Sequence, residues 1–127
     1  MSQLILKFDG ACRGNPGPGG AGYVAYHQSG NTMKRVLAGG FYVGAKSTCN
    51  FAEYAGLEIG LRKVLKLSIK YDEVIVRGDS RLVVEQVFGT WKCNHEHLRK
   101  IRDACKLHLC DFASRSIRVR GEHVYRE

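Results

Sequence analysis

The spacing of apolar residues in the first part of the chain predicts three strands. Residues 3–10 form a largely apolar run, and residues 21–28 alternate between apolar and polar side chains. After the turn sequence at residues 29–31, a second apolar-rich run follows at residues 33–44. Because short turns join antiparallel neighbours, the three segments are predicted to form an antiparallel meander.

The middle of the chain changes to a helical period. In residues 50–67, one side of the predicted helix is apolar and the opposite side is charged. The segment is therefore predicted to be an amphipathic helix that packs on a core. Its apolar stripe is Leu57, Leu61, Val64 and Leu65, and its charged face is Glu58, Arg62, Lys63 and Lys66.

The remaining pattern alternates strand and helix again. Residues 73–78 are predicted to be a short buried strand, residues 80–89 a short helix, residues 95–112 a second long helix and residues 116–121 a last strand. The order β-β-β-α-β-α-α-β predicts an α/β fold with a mixed sheet, because strand–helix–strand crossovers join parallel strands. The inner stripe of the second long helix is Leu98, Ile101, Cys105 and Phe112.

Composition narrows the class of protein and of partner. A chain of 127 residues has the size of one domain, and we predict a single domain over residues 1–127. The formal net charge of +8 favours a polyanionic partner, with nucleic acid as the first candidate. Five cysteines without a CxxC pair indicate a reducing, intracellular location, cytoplasmic or nuclear. No apolar run approaches the roughly 20 residues that span a bilayer, so no membrane partner is expected.

Three acidic residues lie where an α/β sheet usually builds a site. Asp9 ends the first predicted strand, Asp79 follows the strand at residues 73–78, and Glu53 falls on the apolar stripe of the long helix. Crowded carboxylates repel one another unless their pKa values rise or a divalent cation lies among them. Because hard oxygen ligands suit magnesium, we predict that these three residues bind Mg²⁺.

Each of these carboxylates also has a purely structural interpretation, which the sequence leaves open. Asn50 and Glu53 fit a capping box at the start of the helix. Asp79 suits the N-cap of the short helix, and Asp9 before Gly10 suits a turn. A cap uses only one carboxylate oxygen, so structural and metal-binding roles are compatible.

The glycine-rich segment at residues 9–20 does not fit a dinucleotide-binding loop. Residues 17–22 match the letters GxGxxG, but they lead into a strand, and no acidic residue follows at the distance that a ribose contact requires. Without Cβ atoms, this backbone can instead lie close to a sugar-phosphate chain beside Asp9.

Four segments resemble, in order, the signature segments of type 1 ribonuclease H, in its plant and archaeal-like branch. They are FDGACRGNPGPGGAG, CNFAEYAGLEIGL, VRGDSRLVVEQVFGTWK and HVYRE. The resemblance implies a ribonuclease H-like α/β fold, with a five-stranded mixed sheet of order 3-2-1-4-5 and helices on both faces. It also implies an endonuclease that hydrolyses the RNA strand of RNA·DNA hybrids and leaves 5′-phosphomonoester products. Double-stranded RNA is a second candidate partner, and a monomer is expected.

The resemblance implies a two-metal-ion site. Asp9, Glu53 and Asp79 are its implied ligands, and Asp9 bridges both ions. Mg²⁺ is the implied cofactor, and Mn²⁺ is a substitute. In such a site one ion lowers the pKa of the attacking water and the other stabilises the leaving 3′ oxygen.

The resemblance further implies a surface that binds the hybrid. Gly10, Asn15 and Asn50 match positions that contact the minor groove, where 2′-hydroxyls distinguish RNA from DNA. Lys46 and Trp91 match contacts to the DNA strand. Asn15 also suits a turn, Lys46 a solvated loop and Trp91 the packing of a helix. The complete set of predicted substrate-binding residues is Gly10, Cys12, Asn15, Lys46, Asn50 and Trp91.

The last segment departs from the family pattern, which continues to a fourth aspartate that ligates the ion carrying the attacking water. We expect the chain, which ends at Glu127, to lack this C-terminal segment. Glu122, Glu127 or the terminal carboxylate would be poor substitutes, so weak or no activity in Mg²⁺ is expected. His123 matches a catalytic histidine that assists proton transfer or product release, although it also suits a surface loop.

Two classes of function therefore follow from the sequence. The first is a metal-dependent hybrid nuclease, which the three carboxylates favour because a simple binding module gains nothing from acids that face phosphate. The second is a non-catalytic or weakened module that binds a hybrid or double-stranded RNA, which the absent fourth aspartate favours.

Overall fold

The predicted succession of strands and helices is confirmed. The structure is a computed structural model that describes residues 2–125. Its elements are β1 (Ser2–Cys12), β2 (Gly17–Ser29), β3 (Thr32–Ser47), α1 (Cys49–Leu65), β4 (Glu73–Gly78), α2 (Arg81–Val87), α3 (Glu96–Ser114) and β5 (Arg118–His123).

The five strands form one mixed sheet in the order β3-β2-β1-β4-β5, which is the predicted order. β1 pairs antiparallel with β2, and β2 pairs antiparallel with β3, as the meander requires. β4 pairs parallel with both β1 and β5. The carboxyl ends of β1 and β4 therefore meet at the same edge of the sheet.

One hydrophobic core joins the sheet to all three helices. The alternation along β1 directs Leu4, Leu6 and Phe8 to the face that carries the helices, and these residues share a buried cluster with Leu57 of α1 and Phe112 of α3. Burial of this apolar surface is the main force that holds the layers together. The opposite side chains of β1 and β4 include Ile5 and Ile75, which lie outside that cluster.

The expectation of helices on both faces of the sheet is not met among residues 2–125. α1 lies over the Leu6 side of β1, because a Cβ added at Gly60 would lie 3.1 Å from the Leu6 Cδ1 atom. Phe88, which ends α2, lies against Gly121, the register partner of Val76 on the same face. α3 joins the same core, so the described helices form one layer.

Two glycines permit the close approach of α1 to the end of β1. A Cβ at Gly56 would lie 2.8 Å from the carbonyl oxygen of Asp9, and a Cβ at Gly10 would overlap the backbone of Ala52. Any larger residue at either position would force the helix and the strand apart. This contact places Glu53 directly beside the carboxyl end of β1.

No helix within the described part of the chain has the length and apolar character needed to cross a membrane.

Candidate metal and nucleic-acid site

Three carboxylates from three elements meet at the carboxyl edge of the sheet. Asp9 lies near the end of β1, Glu53 lies in the early part of α1, and Asp79 follows β4 directly. One carboxylate oxygen from each residue lies within 4.8 Å of the other two. The predicted convergence of the three acids is therefore confirmed.

The helix caps are supplied by other residues, so the capping interpretations of Glu53 and Asp79 are wrong. Thr48 is the N-cap of α1, and its hydroxyl accepts a hydrogen bond of 3.1 Å from the Phe51 amide. Ser80 is the N-cap of α2, and its hydroxyl accepts from the Val83 amide at 3.3 Å. Threonine and serine at these positions satisfy the exposed amides of each first turn.

Asp9 combines a local structural role with its place in the cluster. Its Oδ1 atom accepts a hydrogen bond of 2.9 Å from the Gly10 amide. This bond helps to fix the carboxylate, but Asp9 lies within β1 and pairs in register with Gly22, so its interpretation as a turn residue is wrong. Because a carboxylate has several lone pairs, this bond leaves acceptor capacity for a cation.

Glu53 is the buried member of the cluster. It is 8% exposed, and its Oε2 atom has no hydrogen-bond partner among the described residues. Burial, followed by the negative charges of Asp9 and Asp79, raises the pKa of Glu53 from 4.5 to about 8, although the Gly10 amide opposes the rise. In the metal-free protein this carboxyl group is therefore mostly protonated at neutral pH.

The cluster has the properties of a divalent cation site. All three donors are hard carboxylate oxygens, which suit Mg²⁺ and Mn²⁺ better than softer metals. A buried oxygen without a partner is costly, and a cation provides the partner that Glu53 lacks. The same cation would offset the repulsion that raises the pKa of Glu53. The residues present therefore fit a metal ion.

The loop after β1 and the start of α1 are joined beside this cluster. The Asn15 Oδ1 atom accepts a hydrogen bond of 3.2 Å from the backbone amide of Cys49, next to exposed Asn50. The Sγ atoms of Cys12 and Cys49 lie 2.7 Å apart. Gly10 is buried under α1. Because glycine has no side chain, it can contribute only backbone atoms to this surface. These contacts bring together four of the predicted substrate-binding positions, which are Gly10, Cys12, Asn15 and Asn50.

The two predicted contacts to the DNA strand lie on other segments. Lys46 is exposed near the end of β3. Trp91 lies between α2 and α3 and is 45% exposed, so it is not a core residue. Its role in binding stays a prediction.

A buried polar network holds the segment that carries Trp91, and sequence reasoning missed it. The Tyr54 hydroxyl donates a 2.7 Å hydrogen bond to Gln86 Oε1, and Gln86 Nε2 donates a 3.0 Å bond to the carbonyl oxygen of Lys92. Tyr54 and Gln86 are both buried. The only signal in the sequence was a tyrosine and a glutamine at helix positions otherwise filled by apolar residues.

His123 lies beside the cluster, at the end of β5. Its Nε2 atom is 3.2 Å from the carbonyl oxygen of Asp79, and its ring packs edge-on against Tyr125 at 4.8 Å between centroids. It is half-buried, so the interpretation as an exposed loop histidine is not supported. Its assistance in proton transfer or product release stays a prediction.

Glu122 does not complete the metal site. It lines a cleft of about 550 Å³ together with Asp9 and Asp79. However, hydrogen bonds from Arg77 and Arg120 hold its carboxylate and lower its pKa. Within residues 2–125, the group that can hold a cation contains only the three predicted acids. Glu127 lies outside the described residues.

A second missed feature is a strip of backbone without large side chains, which we call the glycine shelf. It consists of Ala11, Gly20, Gly22 and Gly40. Gly22 is the register partner of Asp9 on β1 and of Gly40 on β3, and Gly20 is the partner of Ala11 and of Tyr42. Opposed residues of antiparallel strands share a face. The shelf therefore extends from Asp9 to Tyr42, whose side chain is 68% exposed. Tyr42 also lines a pocket of about 320 Å³ with Arg13.

Sequence comparisons relate the chain to known nucleases. A family model described as reverse transcriptase-like matches residues 7–127. The bifunctional protein Rv2228c of Mycobacterium tuberculosis is 41% identical over 99 residues, which are 78% of this chain and 26% of that protein. The ribonuclease HI of Halobacterium salinarum is 38% identical over 115 residues, or 91% of this chain and 55% of that protein. The ribonuclease H of Rippkaea orientalis is 30% identical over 126 residues, which are 87% of this chain and 71% of that protein. The chain spans about a quarter to about half the length of the first two relatives.

Solved structures give the same relationship. The N-terminal RNase H domain of Rv2228c, fused to maltose binding protein, has a TM-score of 0.83 at 35% identity over 99% of this chain and 84% of that chain. RNase H1 of H. salinarum has a TM-score of 0.80 at 34% identity, over 98% of this chain and 86% of that chain. LC11-RNase H1, solved in complex with an RNA/DNA hybrid, has a TM-score of 0.81 at 27% identity, over 97% of this chain and 86% of that chain.

Proposed function

The chain belongs to the type 1 ribonuclease H family, and we propose that it is an intracellular, monomeric endonuclease that hydrolyses the RNA strand of RNA·DNA hybrids. The proposed products carry 5′-phosphates, and the proposed cofactor is Mg²⁺, with Mn²⁺ as a substitute. The carboxylate cluster carries this proposal, because a buried Glu53 oxygen without a partner lies beside two further acids. In a protein that only bound nucleic acid, such a cluster would weaken binding, because its carboxylates repel the phosphates.

The three acids have different tasks in the proposed reaction. When bound, two divalent ions activate the attacking water and stabilise the leaving 3′ oxygen. Asp9 lies on β1, which pairs with β4 and packs against α1, so Asp9 is the acid that would share metal ligation with both Glu53 and Asp79. Glu53 has to release its proton before it binds, because its pKa is about 8 in the metal-free protein.

The neighbouring surface has the properties that a hybrid requires. Asn15 and Asn50 offer amide groups next to the acids, where they are proposed to read the 2′-hydroxyls of the RNA strand. Lys46 and Trp91 are both exposed, and they are proposed to contact the DNA strand. The net charge of +8 favours binding to the phosphate backbone, with the salt dependence that follows from counterion release.

A second candidate function is a module that binds hybrids or double-stranded RNA without cutting them. The observation that favours it is the pairing of Glu122 with two arginines, which keeps this nearby carboxylate out of the cation cluster. A site with three carboxylates would then bind its ions more weakly than a site with four.

Cleavage and binding assays on three duplexes separate the two functions. Labelled RNA·DNA hybrid, RNA duplex and DNA duplex are incubated with the protein in Mg²⁺ or Mn²⁺, and products and binding are measured separately. We expect cleavage of the hybrid alone, weak or absent in Mg²⁺ because the fourth acid is lacking and measurable in Mn²⁺, and Asp9→Asn should abolish it without loss of binding. Asp111→Asn, which removes an exposed acid on α3, is the matched control. Binding of the hybrid without cleavage in both metals would establish the second function instead.

A further inference from the structure

Two cysteine side chains are in direct contact at the edge of the proposed hybrid surface. The Sγ atoms of Cys12 and Cys49 lie 2.7 Å apart, although the residues are 37 positions apart in the sequence. Cys12 is partly accessible to solvent and Cys49 is exposed. The other cysteines differ, because Cys93 and Cys105 are buried and Cys110 is exposed on α3 without a described sulfur contact.

The fold itself holds these two sulfur atoms together. Cys12 is the last residue of β1 and is the register partner of Gly19 on β2. Cys49 is the first residue of α1, directly after the N-cap Thr48. Asn15 joins the two segments through its hydrogen bond to the Cys49 amide. Because both backbones belong to regular elements, the contact needs no rearrangement of the chain to form.

We propose that Cys12 and Cys49 form a reversible disulfide bond that links the end of β1 to the start of α1, with a small-molecule disulfide such as glutathione disulfide as the oxidant. The formation of this bond is independent of the proposed nuclease activity. Only its consequence for the hybrid surface rests on the proposed function.

The reaction is an ordinary thiol–disulfide exchange. The Cys49 thiolate attacks one sulfur of glutathione disulfide, which gives a mixed disulfide and releases one glutathione thiolate. Cys12 loses its proton to solvent and attacks the Cys49 sulfur, which releases the second glutathione. In sum, two protein thiols are oxidised to one disulfide, and one glutathione disulfide is reduced to two glutathione molecules. Cys49 is the more exposed of the two thiols, which makes it the attacking residue and Cys12 the resolving residue.

The bond would stabilise the two segments that carry the predicted minor-groove residues. It would close a long loop in the unfolded chain, which we expect to raise Tm by roughly 10 °C. Because the sulfur atoms already touch, the surface formed by Asn15 and Asn50 should keep its position. The Kd for a hybrid should therefore stay within about threefold of that of the reduced protein.

The disulfide is tested first without nucleic acid or metal. The protein is incubated with excess glutathione disulfide, then analysed by peptide mass spectrometry without reduction and by thermal unfolding. We expect a Cys12–Cys49 cross-linked peptide and a Tm increase that dithiothreitol reverses. Cys12→Ser and Cys49→Ser should each abolish both effects, whereas Cys110→Ser should leave both unchanged.

Three results would overturn the proposal: no disulfide, a disulfide that uses another cysteine, or glutathione that stays attached to Cys49 without closure. An unchanged Tm in protein shown to be cross-linked would equally overturn the stabilising role. Hybrid binding is then compared between the oxidised and reduced protein. Because the first readouts involve no substrate, they stand even if the chain proves to have no nuclease activity.

Discussion

Replacing Glu53 by glutamine should stabilise the metal-free protein at neutral pH, although it removes a predicted metal ligand. The folded protein holds the Glu53 proton with a pKa of about 8, whereas the unfolded chain releases it near 4.5. Between these two values Glu53 ionises only in the unfolded chain, so a rise in pH favours the unfolded state. Glutamine does not ionise, and its amide can donate to Asp9 as the protonated carboxyl group does.

The magnitude follows from the two pKa values. Below the pKa of the unfolded chain, Glu53 is protonated in both the folded and the unfolded state, so its ionisation does not change the free energy of unfolding. Above it, the free energy of unfolding falls by about 1.4 kcal/mol for each pH unit, until the folded-state carboxyl group ionises as well. At pH 7 the cost is about 3 kcal/mol, and it levels off above about pH 8. Glu53→Gln should recover this amount at pH 7 and almost none at pH 4.

Urea unfolding in EDTA at pH 4 and pH 7 measures the effect. Glu58→Gln is the matched control, because Glu58 lies on the same helix but pairs with Arg62 at 3.2 Å and with His108 at 2.8 Å. It should lose stability at pH 7 rather than gain it. The reasoning would be refuted if Glu53→Gln were no more stable than the unmodified protein at pH 7. A gain of the same size at both pH values would also refute it, because that gain would not come from ionisation.

Three further substitutions test the packing and the surface around the site. Tyr42→Ala should weaken hybrid binding by about 1 kcal/mol in fluorescence anisotropy, because the exposed Tyr42 ring at the end of the glycine shelf can pack against the sugar-phosphate backbone, whereas Tyr42→Phe should bind normally. Gly56→Ala should lower the free energy of unfolding by about 1–3 kcal/mol, because its Cβ would lie 2.8 Å from the Asp9 carbonyl oxygen. Gly44→Ala, which has open space around its Cβ position, should be nearly neutral in the same unfolding assay. Tyr54→Phe should cost about 1–3 kcal/mol, because it leaves the buried amide oxygen of Gln86 without its donor, and hydrogen exchange should then increase in the Trp91 segment.

Local patterns predicted the succession of strands and helices and the convergence of the three acids, whereas the strand order in the sheet was implied by the family resemblance. The change in apolar period separated strands from helices, and the family signatures placed Asp9, Glu53 and Asp79. The sequence did not predict the caps, because Asn50 and Thr48 are both suitable N-cap residues and only the path of the chain decides between them.

Features that depend on contacts between distant segments were less accessible from the sequence. The glycine shelf exists because the register sets glycines of β2 and β3 side by side next to Asp9. The contact between Cys12 and Cys49 depends on the closeness of the end of β1 to the start of α1. Likewise, the buried network beside the Trp91 segment depends on the contact between Tyr54 and Gln86, which are 32 positions apart in the sequence.

The packing of α1 on β1 explains why stability and metal binding are linked in this protein. Gly10 and Gly56 let the helix approach the strand so closely that Glu53 is buried beside Asp9. That burial raises the pKa of Glu53, so the arrangement destabilises the metal-free fold at neutral pH. A bound cation would offset this cost by favouring the ionised carboxylate, and it would release a proton as it binds. Mg²⁺ or Mn²⁺ should therefore raise Tm more at pH 8 than at pH 5, and Glu53→Gln should remove most of that difference. An equal rise at both pH values would show that the ion binds without displacing the Glu53 proton.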